Sequence, residues 1–225
     1  MAGTAIFDLD RTITRAPTWT DFLLRTNAAR PAFWLRFPGI AARMVGYKLG
    51  LTTRDAIKSA GIRSFTGLPP AALTKAGRDF IARRIARGDL RPGAVAAIAR
   101  HRARGDRLIL ITAAVDVVAE PLAGELGFDD VICTRIGWSD TGPYLLGRNC
   151  YGVEKLRLLD ALGPLEPPVY AYSDHISDLD LLTRADHGVA VNPSAALRRA
   201  APAHGLEITD FDRPEPASSP LESLP

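Results

Sequence analysis

Four short apolar runs rich in valine and isoleucine recur along the chain, at residues 4–9 (TAIFDL), 107–112 (RLILIT), 168–173 (PVYAYS) and 188–191 (GVAV). Most of them do not alternate apolar with polar positions. A strand with one wet face alternates, whereas a strand covered on both faces reads as a continuous apolar run. These segments, with a weaker fifth at 130–133 (DVIC), are therefore expected to be strands of a parallel sheet with helices on both sides. Helical patterns fill the intervals. Pro92 suits a helix start and Gly105 its end. Residues 117–127 and 152–163 follow similarly, and Asn192 stands where it would cap a helix entered through Pro193. Strand and helix in alternation predict a Rossmann-like, doubly wound α/β fold.

Residues 15–92 break that rhythm and read as several helices inserted directly after the first strand. The expected organisation is an α/β core of residues 1–14 and 93–212, a helical cap of residues 15–92 poised as a lid, and an unstructured tail of residues 213–225. Within the cap, Phe33, Phe37, Ile40, Met44 and Tyr47 form an amphipathic stripe interrupted by Pro38, read as lid core ahead of a membrane contact. Residues 134–148 read as a hairpin turning at SDTG. The formal net charge is +3, but nine basic residues face only Asp21 and Asp55 between Arg15 and Arg63. Such a basic segment attracts an anionic ligand. With 225 residues, 47% of them hydrophobic, the chain is long enough for a sizeable core. It has no uncharged run of membrane-spanning length, and acidic residues arrive too early for a secretory signal, so a cytoplasmic protein is expected. Cys133 and Cys150 lack the spacing of a disulfide framework or a zinc site and read as packing residues.

Two of the strand runs end in acids. Asp8 and Asp10 lie two residues apart, so on an extended chain their side chains share a face. At ~4 Å two carboxylates repel by about 4 kcal/mol at an effective dielectric near 20, which calls for a positive charge between them. The second cluster, YSDHISDLDLL, places Asp174 and Asp178 after the strand at 168–173. In a parallel sheet the carboxyl ends of the strands share one edge, and ligands bind there. The four aspartates should therefore converge, joined by Thr112 at the end of another strand and by Lys155 at a helix start. Strand-end acids with a hydroxyl and an ammonium are the inventory of a magnesium phosphoryl-transfer site, in which Mg²⁺ sits between carboxylates and substrate phosphate. Asp8 is assigned as the nucleophile that forms an aspartyl-phosphate. Asp10 is assigned as the acid that protonates the leaving oxygen and then deprotonates water. Thr112 with the backbone at Ala113, and Lys155, would bind the phosphoryl oxygens. A calcium loop opening at Asp8 fails, because its twelfth position is Trp19.

FDLDRT, LILITA, Lys155 and YSDHISDLDLL, in that order, resemble the four motifs of the haloacid dehalogenase (HAD) superfamily of phosphatases. The early helical insert, GRNCYGVEK and ADHGVAVNPSAALRRAA further resemble its IB subfamily, which contains phosphoserine phosphatase. The resemblance implies that Asp8, the Asp10 carbonyl and Asp174 ligate Mg²⁺, with Asp178 in support. Arg11 and Ser173 stand where that family commonly has glycine. Phosphoserine phosphatases usually carry a glutamate soon after the first motif for the substrate ammonium, whereas TRAPTWTDFLL offers only Asp21, which argues against phosphoserine. The basic insert also resembles that of phosphatidylglycerophosphate phosphatases.

The expected function is thus magnesium-dependent hydrolysis of a phosphate monoester, either a small phosphorylated metabolite or a phospholipid headgroup such as phosphatidylglycerophosphate. Peripheral membrane contact is compatible with it. No nucleic-acid partner is expected, since basic charge without a recognition fold is weak support. The sequence carries no signal of oligomeric state. The competing expectation is a non-catalytic HAD scaffold that binds anionic membrane or nucleic acid through its basic cap.

Overall fold

A computed structural model describes residues 2–213. The tail expected to be unstructured lies outside the described residues from position 214 onward. The first strand, β1 (Thr4–Phe7), is followed by helices α1 (Trp19–Asn27), α2 (Pro31–Lys48), α3 (Arg54–Arg63) and α4 (Pro70–Ala86). Then come α5 (Pro92–Ala103), β2 (Arg107–Val115), α6 (Asp116–Leu126), β3 (Asp130–Ser139) and β4 (Gly142–Leu146). The chain closes with α7 (Val153–Asp160), β5 (Val169–Ser173), α8 (Leu179–Arg184), β6 (His187–Val191), α9 (Ala195–Ala200) and β7 (Glu207–Thr209).

The strands form one sheet in the order β4-β3-β2-β1-β5-β6-β7, parallel except for the β3–β4 hairpin. Ile6 of β1 is in register with Ile109 of β2 on one side and Ala171 of β5 on the other. The non-alternating runs are explained by burial on both faces. Ala5, Phe7, Leu108 and Leu110 enter one apolar cluster, while Ile6, Ile109, Ile111 and Ala171 enter a second on the opposite face. From β1 the chain winds outward through β2 and β3, then returns to β5 on the other side of β1. The reversal opens a crevice beside the carboxyl end of β1, the place where open α/β sheets bind ligands.

The insert does not stand apart from the sheet. Phe22, Ile62, Phe65, Leu73 and Phe80 belong to the same buried cluster as Phe7 and Leu110. α4 lies so close to α6 that a Cβ on Gly77 would fall 1.8 Å from the Val117 carbonyl oxygen.

Several local expectations change. α2 runs through Pro38 without breaking, and its stripe divides: Phe33 and Ile40 are buried core, whereas Met44 and Tyr47 are exposed. Trp34, next to buried Phe33 on the same helix, is 48% exposed. Asn192 does not cap α9. Ser194 does so, its hydroxyl accepting from the Leu197 amide, while Asn192 adopts a left-handed backbone (φ 41°) and accepts from the Phe211 amide. β7 was not expected, because it is a three-residue edge strand with two exposed positions and no apolar run to mark it.

Candidate active site

The last rung between β1 and β5, from the Asp8 amide to the Tyr172 carbonyl (2.9 Å), fixes Asp8 at the strand end. The chain then folds back on itself, with the Ile13 and Thr14 amides both donating to the Leu9 carbonyl. This reversal puts Arg11 in the left-handed region (φ 66°), which explains why glycine suits the position and why arginine there carries about 1–2 kcal/mol of backbone strain. The Arg91 guanidinium holds the turn by donating to the Arg11 carbonyl at 2.9 Å.

Lys155 lies on the first turn of α7, which the chain enters through Gly152 in a conformation (φ 56°, ψ −127°) open to glycine. Its Nζ donates to Asp8 Oδ1 at 2.7 Å and to Asp178 Oδ2 at 2.6 Å. Burial alone would discharge the ammonium, but the two carboxylates raise its pKa and hold it charged. Thr12 Oγ1 donates to the other Asp8 oxygen at 3.2 Å. Ser173 donates to Asp178 at 2.7 Å, so the residue standing in place of glycine anchors this aspartate.

Asp8, Asp10, Asp174, Asp178, Thr112, Ala113 and Lys155 all line one pocket of about 480 Å³. The sequence-derived site residues are thus brought together. Thr112 is buried, and its hydroxyl accepts from the Ala114 amide at 3.0 Å. Asp10 accepts from the Thr18 amide at 2.8 Å. Burial pushes the Asp8 carboxyl up to about 7, with Lys155 opposing and Asp178 and Asp174 adding to the rise. Asp174 is pushed up to about 6 by burial and by the Asp178 charge, with Arg11 pulling back. Burial also raises Asp10, countered by hydrogen bonding from Thr18 and by the Lys58 and Arg84 charges.

Among the described residues, no three His, Cys, Asp or Glu side chains form a cage able to hold a metal by themselves. Magnesium does not require one: it binds through one or two carboxylates, with water, carbonyl and phosphate oxygens completing the set. Asp8, Asp10 and Asp174 line the same pocket and are of the residue type such a set draws on. Burial raises the Asp8 and Asp174 carboxyls, with the Asp178 charge adding to each rise, and a bound cation relieves a cost of this kind.

The sequence reading missed the part of the lining that the insert contributes. Trp19, Met44 and Tyr47 join Arg54 and Lys58 there, and Tyr151 and His175 complete the rim. Lys58 is buried; its Nζ donates to the Ala113 carbonyl at 2.9 Å and rests 4.1 Å from the centre of a Trp19 ring. Burial lowers its pKa to about 8, against the pull of Asp10. Arg54 and Lys58 are spaced four apart on α3, a signal readable in the sequence but submerged in the overall basic count. Asp21 is absent from the pocket lining and pairs instead with Arg25 and Arg84.

The sequence profile of haloacid dehalogenase-like hydrolases matches residues 5–183. The chain belongs to this family. It is therefore a hydrolase, built on the HAD fold that its motifs predicted. Among curated relatives, protein CicA of Caulobacter vibrioides is 33% identical over 185 residues, covering 80% of this chain and 82% of that protein. A solved protein of unknown function from Bordetella pertussis Tohama I shares 28% identity with a TM-score of 0.80, covering 94% of this chain and 99% of that one. A substrate-bound phosphoserine phosphatase superposes with a TM-score of 0.60 at 15% identity, covering 95% and 94%, a likeness of fold alone.

Proposed function

We propose that this hydrolase is a magnesium-dependent phosphatase that cleaves a phosphate monoester through an aspartyl-phosphate on Asp8. The observation that carries this reading is the Lys155 ammonium clamped between Asp8 and Asp178 at the carboxyl edge of the sheet, facing Asp10, Thr112 and Asp174 across one pocket. Magnesium held by Asp8, Asp174 and the Asp10 carbonyl would supply the positive charge that lets a carboxylate approach an anionic phosphorus.

The hydrogen bonds from Lys155 and Thr12 hold the Asp8 carboxylate in one orientation, so an Asp8 oxygen is ready to bond to phosphorus as the ester oxygen departs. The burial that raises Asp10 favours the protonated form needed to give the departing alkoxide its proton. The resulting Asp10 carboxylate then takes a proton from the water that opens the aspartyl-phosphate and frees inorganic phosphate. Thr112, the backbone at Ala113 and Lys155 stabilise the phosphoryl oxygens. Asp178 keeps Lys155 in place.

The purified protein should release phosphate from an aryl phosphate, stop when magnesium is chelated, and lose at least about 10³-fold in kcat on Asp8→Asn. Normal turnover by the Asp8→Asn variant would overturn the nucleophile assignment. Binding of anionic vesicles or nucleic acid without turnover of any ester would favour the non-catalytic scaffold instead.

The substrate is a small phosphorylated metabolite or a phospholipid headgroup. One observation favours the lipid arm: α2 exposes Trp34, Leu35 and Val45 beside Arg36 and Arg43, and the same helix supplies Met44 and Tyr47 to the pocket. A helix with apolar and cationic surface but no acid suits an anionic bilayer. Cys133 and Cys150, both buried free thiols, accord with a cytoplasmic setting. Among the described residues, no helix is long and apolar enough to cross a membrane.

A further inference from the structure

The pocket is chemically one-sided. The α/β core lines it with four aspartates, Asp10 among them just after β1, and the insert lines it with Arg54 and Lys58, one turn apart on α3, and with no acid. Neither cation has a carboxylate within ion-pair reach among the described residues. Arg54 lies between two tyrosine rings, 3.9 Å from the centre of Tyr151 and 4.9 Å from that of Tyr47, and its Nε donates to the Tyr47 hydroxyl at 2.7 Å. Its two terminal nitrogens make no hydrogen bond among the described residues. Lys58 spends one donor on the Ala113 carbonyl and has two left.

The acids of the insert are all committed elsewhere. Asp21 pairs with Arg25 and Arg84, Asp55 with Arg148, Asp79 with Lys75, and Asp89 with Arg84. No glutamate occurs before Glu120. The insert therefore offers the alcohol portion of a substrate two cations and no anion. Asp10 acts on Lys58 from beyond ion-pair reach, and a buried ammonium with no counter-charge in contact is costly; that cost falls when a bound anion touches it. The planar fork of Arg54, held by its tyrosines, matches a carboxylate or phosphate.

We propose that the alcohol portion of the substrate carries a second anionic group, a carboxylate or another phosphate, bound by Arg54 and Lys58, and that an alcohol bearing an ammonium is rejected. The inference rests on the phosphatase reading above and names the substrate class for the same site.

The test uses two-carbon esters that differ only in charge: phosphoglycolate, ethylene glycol monophosphate and phosphoethanolamine. Propanediol bisphosphate and its monophosphate report on a second phosphate, so the arms tell which anion is preferred. At saturating magnesium, kcat/KM for phosphoglycolate or the bisphosphate should exceed that of its neutral counterpart at least tenfold, with phosphoethanolamine lowest. Arg54→Gln and Lys58→Met should each shrink that ratio at least fivefold, chiefly through KM, and Arg54→Lys should restore part of it. If Lys58→Met fails to fold, Arg54→Gln, at an exposed position, still decides the matter. Equal turnover of all esters, or a ratio that survives both substitutions, overturns this inference and leaves the phosphatase reading standing. No turnover of any ester overturns both.

Discussion

At the scale of single residues, the site consists of charges held under tension. Asp174 illustrates the consequence for stability. An unfolded aspartate titrates near its ordinary 3.8, whereas the folded one, crowded by burial and by Asp178, releases its proton near 6. Between those values the folded chain binds the proton that the unfolded chain has lost, so stability falls as pH rises through this window. In denaturant titrations of metal-free protein, the wild type should lose on the order of 2 kcal/mol relative to Asp174→Asn between pH 4 and pH 7. Millimolar Mg²⁺ should restore the loss in the wild type. A difference between the two proteins that does not change with pH would refute this account of the site. The residues that could be read from the sequence were those whose type is anomalous for their place: Asp8 and Asp174 follow largely apolar strands, where an acid stands out. Arg54 and Lys58 went unread because a cation on a helix is ordinarily a solvated surface group. Their difference lies in the acids that are missing around them, which only the ion pairs of Asp21 and Asp55 make visible.

At the scale of elements, the seam between α4 and α6 is the tightest join between insert and core. Gly77→Ala would press a methyl group into the Val117 carbonyl. Overpacking of this kind costs about 1–3 kcal/mol, and in a chain of this size that corresponds to a lowering of Tm by roughly 2 to 12 °C, measurable by calorimetry. An unchanged Tm would mean the helices part more readily than their contact suggests. Strands were legible where burial on both faces writes itself into the sequence, as in the unbroken apolar stretch from Leu108 to Ile111 of β2. β7 was not, since an exposed edge strand of three residues needs no apolar signature. Asn192 differs for a local reason: Asn and Ser both cap helices well, but α9 begins only at Ala195, so Ser194 stands beside its start while the Asn192 side-chain amide donates to the Asp210 carboxylate.

At the scale of the whole molecule, charge and apolar surface are concentrated on the insert. If the lipid reading holds, the protein should sediment with vesicles containing phosphatidylglycerol at low salt and be released at about 0.5 M salt, as screening requires. Leu35→Glu should weaken sedimentation, since Leu35 is 84% exposed on α2. Failure to sediment at any salt concentration would leave the free metabolite as substrate. The continuity of the buried cluster from Phe22 and Phe80 to Phe7 and Leu110 bears on how substrate enters. Swinging the insert away as one body would wet several of these side chains; for three, at about 1.5–3 kcal/mol each, the open form would be rarer than roughly one molecule in a thousand. Substrate then meets Asp8 by way of the mouth that the closed molecule already presents, between the aspartates and the α3 cations that line it.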